Sequence, residues 1–186
     1  MTLLELKKKV LQLIEEIDEA QDGLTNDPDI EAKMNSVINQ VMYEVARMKK
    51  IPDYVELEVE AYELVKFEDI KETTGFEVYQ LGAIRGVDYE LKASGTVIKA
   101  LEQGTLEVDY YKYPERITDE TDDSYEFELS PDALEILPYG VAADLLKSDV
   151  STQYGAIYSQ RYETMLQRLD PRYSMDGFSV EGGIDV

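Results

Sequence analysis

A chain of 186 residues with 40 acidic and 18 basic side chains carries a formal net charge of −22, and it contains no cysteine, histidine or tryptophan. The missing thiols and imidazoles exclude disulfides, thiol nucleophiles, Cys/His zinc sites, catalytic triads and histidine acid–base chemistry. What remains for catalysis is carboxylate, lysine or oxygen-ligated metal chemistry, and a field of this sign repels nucleic acid and anionic lipid.

Hydrophobic residues make up 44% of the chain, including 14 tyrosines. No apolar run approaches the roughly 20 residues needed to cross a bilayer. The opening stretch places leucines before its lysines and acids soon after, the wrong order for a secretory leader. The expected setting is a cytoplasm, or a particle assembled in one. The charge is uneven: residues 52–132 hold 7 basic and 22 acidic residues, a net −15, and so carry most of the excess.

In chain order, Leu3, Leu6, Val10, Leu13, Ile14 and Ile17 recur at helical spacing up to about Asp22, with Gly23 as a stop. Asn26-Asp27-Pro28 then joins a capping side chain to a first-turn proline. A stripe of Ile30, Met34, Val37, Ile38, Val41, Val45 and Met48 follows, closed by Lys49-Lys50 at the negative end of the helix dipole. Past Ile51-Pro52 the period changes to two. Alternation predicts strands over 54–60, 76–81, 87–91, 96–100 and 106–113, separated by Gly- and Asp-bearing breaks. Four or five such strands form a small antiparallel meander or barrel, with the excess acids on its outward face. Residues 118–123 read as a polar loop and 125–129 as a short strand. Ser130-Pro131-Asp132 reads as a cap, with Pro138 separating a turn over 131–137 from a helix over 138–147. Asp149 caps a last helix over 150–169, and residues 174–186 read as a flexible tail.

The fold class is therefore α+β: a helical body of four to five helices with an inserted β unit. Its segments are 1–51 (N-terminal helices), 52–130 (acidic β insertion), 131–173 (C-terminal helices) and 174–186 (tail).

Asp119, Glu120, Asp122 and Asp123 form the densest acidic run, but the spacing lacks the sixth-position glycine and final glutamate of an EF-hand, and a solvated loop explains it better. Acids spaced two apart on the first strand, with Glu63 just beyond (Glu56, Glu58, Glu60, Glu63), form an exposed acidic face. With no tryptophan to stack a sugar, they do not point to glycoside hydrolysis. The expectation is a protein without catalytic, cofactor or metal residues. Tyr110, Tyr111 and Tyr113, closed by Pro114, and Tyr154, Tyr158 and Tyr162 on the last helix are the candidate partner-interface residues, since tyrosine is enriched at interfaces. Core packing accounts for the first three about equally well.

Three stretches carry a family resemblance: GTLEVDYYKYPERIT from Gly104 to Thr118, LPYGVAADLLKSD from Leu137 to Asp149, and YGAIYSQRYETML from Tyr154 to Leu166. Together they resemble the head–tail connector, or neck, proteins of tailed bacteriophages and prophages. Members of that family carry a β insertion in a helical body. The resemblance implies a structural virion component assembled in the bacterial host cytoplasm. It also implies partners: portal and tail proteins, and further copies of itself in a ring through which DNA passes without specific binding, with no membrane involved. An acidic lumen would repel the passing phosphates. The alternative reading is an acidic protein-binding module such as a DNA mimic.

Overall fold

The computed structural model describes residues 1–15, 25, 27–148 and 153–169. Its helical part begins with α1, Leu3–Leu13, held by a reciprocal capping box. The Glu5 amide donates to Thr2 Oγ1 (3.2 Å), and the Thr2 amide donates to Glu5 Oε2 (3.0 Å). Next comes α2, Pro28–Met48, whose cap Asp27 accepts the Asp29 amide at 2.8 Å, with Pro28 in the first turn as the sequence predicts. The predicted Gly23 stop and Ile17 lie outside the described residues. Near the other end of the chain, α4 (Pro131–Leu145) continues into a 3₁₀ turn at Leu146–Ser148, and α5 spans Tyr154–Arg168.

α4 is the hub of this body. It buries Ala133, Ile136, Leu137, Pro138, Gly140, Val141, Ala142 and Ala143, and it packs against α1, α2 and α5. Pro138 does not break it: the helix runs from Pro131 straight through, which corrects the expected turn over 131–137. A proline withdraws one donor from the ladder and crowds the preceding turn, at a cost of about 3 kcal/mol in an exposed helix. Here the burial of Ile136, Leu137, Pro138, Val141 and Ala142 in the helical body outweighs that loss. Gly140 sits where α2 and α5 approach closest. A methyl group there would stand 2.6 Å from Val41 Cγ1 and 2.7 Å from the Tyr162 ring.

The β unit holds six strands in two antiparallel three-stranded sheets, and no closed barrel is present among the described residues. The larger sheet is ordered β1-β6-β3, with β1 Ile51–Val59, β3 Val78–Gly86 and β6 Gly104–Lys112. The smaller is β2-β5-β4, with β2 Leu64–Lys66, β4 Tyr89–Lys92 and β5 Val97–Ala100. In the larger sheet the central strand is the last in sequence, so the arrangement is not a simple meander. Between β2 and β3 lies an unpredicted helix, α3 (Phe67–Thr74), ended by Gly75 in the left-handed conformation at φ 82°.

The inner faces of both sheets share one core. Val55, Val59, Leu106, Val108 and Tyr110 from the larger meet Val65, Ile98 and Ala100 from the smaller, and Ile70 of α3 closes it. The β unit ends at Lys112, because Ile117 and Phe127 already belong to the helical core. The predicted strand over 125–129 reduces to a single bridge between Glu126 and Thr2.

Candidate functional site

The tyrosines singled out by sequence separate into those used inside the fold and those facing outward. Tyr110 is 1% exposed in the β core, and burial raises its phenol above the ordinary range. Tyr162 is 8% exposed. Its hydroxyl donates to Glu44 Oε2 at 2.7 Å, and its pKa is pushed far up by burial first and that hydrogen bond second. Tyr158 donates to the Leu13 carbonyl (2.8 Å) and ties α5 to the end of α1.

Tyr113 joins the two halves of the protein. It stacks on Tyr43 of α2 with centroids 4.6 Å apart, touches Tyr79 of β3 at 4.7 Å, and accepts a hydrogen bond from Arg47 Nε at 2.5 Å. Tyr79 in turn donates to the Ala46 carbonyl at 2.9 Å. As partner-binding groups Tyr110 and Tyr162 are therefore corrected to core residues, and Tyr113 to an internal joint. Tyr111 and Tyr154 remain at the surface. Tyr111 is half-buried beneath the Lys50 ammonium, 4.5 Å from its ring centre, and Tyr154 is 47% exposed and stacked against Tyr158.

The acidic face is where the sequence places it, with one addition and one correction. Glu56 and Glu58 point outward from β1, while Glu60 and Glu63 occupy the turn after it, all exposed. β6 adds Glu107 and Asp109 to the same outer surface. Arg85 of β3 reaches across to both, at 3.4 Å from Glu107 and 2.9 Å from Asp109. Glu56 stands directly opposite Glu107 across the β1–β6 ladder, and like charges in that position are destabilising.

The correction concerns the smaller sheet. Its outer surface is basic, carrying Lys66 of β2, Lys99 of β5, and Lys92 of β4 bridged to Glu90 at 2.5 Å. Exposed Tyr62 lies under Lys99 at 5.2 Å, and Leu64 beside it is half exposed. Lys66 is hidden from a sequence reading because β2 is only three residues long, whereas Lys99 lies within the predicted strand 96–100 and Lys92 just beyond 87–91; only the pairing of β2, β5 and β4 brings the three together.

The acidic loop does not converge on a centre. Asp119 accepts from Asn35 Nδ2 (3.0 Å), Asp122 accepts the Ser124 amide (2.8 Å), and Asp123 pairs with Lys7 (2.9 Å). Among the described residues no three acidic side chains gather as metal ligands. No described helix is long and apolar enough to cross a membrane. Comparison with known protein families and with curated proteins finds no match to this chain.

Proposed function

We propose that this protein is a structural head–tail connector component of a phage or prophage particle, forming a ring between portal and tail. The observation that carries the reading is the placement of the three resembling stretches. Gly104–Thr118 supplies the central strand of the larger sheet and the Tyr113 joint onto α2. The described part of Leu137–Asp149, up to Ser148, and Tyr154–Leu166 supply the α4–α5 pair around Gly140 and Tyr162. The resemblance thus falls on the framework that orients sheet against helices, as expected of a protein whose work is to hold a shape. Surfaces of opposite sign on one subunit, and α5 presenting Tyr154 and Ile157 at 47% and 53% exposure, give such a subunit contacts to offer.

The test is co-sedimentation of the purified chain with the portal and tail proteins encoded in the same genome. Binding to the portal, with ring-shaped particles in negative-stain images, is the expected result. Failure to bind any virion component overturns the reading. A DNA mimic would instead be captured by a nucleic-acid-binding protein and displaced by DNA, although Arg85 interrupts the acidic surface that such a mimic would need to keep continuous.

A further inference from the structure

The two sheets of the β unit share one core through their inner faces, so their outer faces look to opposite sides of the subunit. Those outer faces are complementary. The larger presents Glu56, Glu58 and Glu107 beside Tyr54, which is 66% exposed, and the half-buried Tyr111. The smaller presents Lys66, Lys92 and Lys99 beside Tyr62 and Leu64, which are 67% and 50% exposed. Each face therefore has an excess of charge of one sign, with Arg85 the exception on the larger and Glu90 on the smaller, beside apolar or aromatic groups that are at least partly exposed.

Several of these charges have no ion-pair partner among the described residues. Among the described residues Lys66, Glu56 and Glu58 make no ion pair, while Lys99 stands opposite Glu90, which already bridges Lys92. Glu56 faces Glu107 across the ladder; of the cations near that surface, Arg85 is engaged by Glu107 and Asp109, and Lys50 lies over the Tyr111 ring. A cation from outside would relieve that repulsion. In a chain of net charge −22 a cluster of three lysines is also a local reversal of the field, so the acidic partner best matched to it is another copy's acidic sheet.

We infer that copies of this chain associate head to tail, the basic outer face of the β2-β5-β4 sheet of one docking on the acidic outer face of the β1-β6-β3 sheet of the next. Because the two surfaces differ, the contact is heterologous, and its repetition closes a ring or extends a filament. Tyr62 and Leu64 meet Tyr54 and Tyr111 at the centre, and Lys66 and Lys99 approach Glu56 and Glu58. The inference deepens the connector reading by naming the subunit contact, and it places Glu56 and Glu58 in that contact instead of along a DNA channel.

Two charge reversals test it on the full chain: K66E/K92E, which makes both faces acidic, and E56K/E58K, which reduces or reverses the acidic one. In sedimentation velocity at low salt the wild type self-associates with rising concentration, and high salt weakens this. Each variant alone associates at least about tenfold more weakly, since like charges now meet. An equimolar mixture of the two regains assembly, because every contact again joins opposite signs. Zero-length carbodiimide cross-linking of mixed light and heavy-isotope wild-type copies gives an independent readout, valid even if a variant fails to fold. Lys66 or Lys99 should join Glu56 or Glu58 between copies.

A wild type that stays monomeric at every concentration, cross-links that map elsewhere, or folded variants that assemble unchanged or are not restored by mixing overturn the inference. The connector reading is judged separately by portal binding. A chain that binds portal without this contact leaves that reading standing, and one that assembles by this contact yet binds no virion component removes it.

Discussion

Asn39 is one of two polar or charged residues buried in the described structure, and it acts as a clamp. Its Nδ2 donates to the Ile117 carbonyl at 2.7 Å and its Oδ1 accepts the Ile117 amide at 2.8 Å, so α2 gives the incoming chain the pairing a neighbouring strand would provide. Asn39→Ala leaves both backbone groups buried and unmatched, and urea denaturation should show a loss of about 2–3 kcal/mol. Other residue-scale behaviour follows from the tyrosines. Burial pushes Tyr79 and Tyr125 up to about 12 and raises Tyr43, Tyr110, Tyr158 and Tyr162 as well. A raised folded-state pKa means the folded chain keeps its phenolic protons while the unfolded chain loses them above about pH 10. Stability should therefore be intact below pH 10 and fall as pH rises towards 12. Thermal melts across that range, read with tyrosinate absorbance, check the sign: ionisation should accompany unfolding.

At the scale of elements, the joint between sheet and helices predicts its own weakness. Tyr113 supplies two aromatic contacts and the acceptor for Arg47, so Tyr113→Ala should cost about 2–4 kcal/mol, whereas Tyr113→Phe, which keeps the ring, should cost about 1. Equal losses in denaturant titrations would show that the hydroxyl, not the stacking, holds the joint. The elements also show what was legible beforehand. α2 was readable because Asp27-Pro28, a long apolar stripe and terminal lysines all agree, and β1 and β6 were readable from strict alternation. α3 was not: its eight residues bury one side chain, Ile70, and its acids look like a continuation of the exposed strand pattern, although Thr74-Gly75 held the stop signal. The continuous α4 was missed because the rule for Pro138 describes an exposed helix, and long-range burial among α1, α2 and α5 is not written in the local sequence. For the interaction surfaces, spacing placed Glu56 and Glu58 outward correctly. The burial of Tyr110 follows the alternation of β6, whereas that of Tyr113 and Tyr162 depends on contacts with α2 and, for Tyr162, α4 that no local pattern specifies.

For the whole molecule, the net charge acts on folding and on assembly in opposite directions, and salt separates the two. A charge of −22 on one chain, concentrated between residues 52 and 132, repels itself more strongly when compact than when unfolded. The cation-bearing contacts that offset this are mostly exposed, such as Lys71–Glu77 and Arg85–Glu107, and solvent screening leaves each of them weak. Raising the ionic strength from about 0.01 to about 0.15 M shrinks the screening length from about 30 to about 8 Å, shorter than the reach of that repulsion but not of a contact pair. The isolated chain should therefore melt at higher temperature in moderate salt than in its absence, with the gain levelling off near physiological strength. Association between the lysine-bearing and acid-bearing sheets should weaken over the same range, because it depends on attraction between exposed charges. Melting temperature at low protein concentration and sedimentation at high concentration, measured in one salt series, should thus move apart. If added salt lowers the melting temperature of the dilute chain, its attractive pairs outweigh the global repulsion, and the excess acids cost the fold nothing.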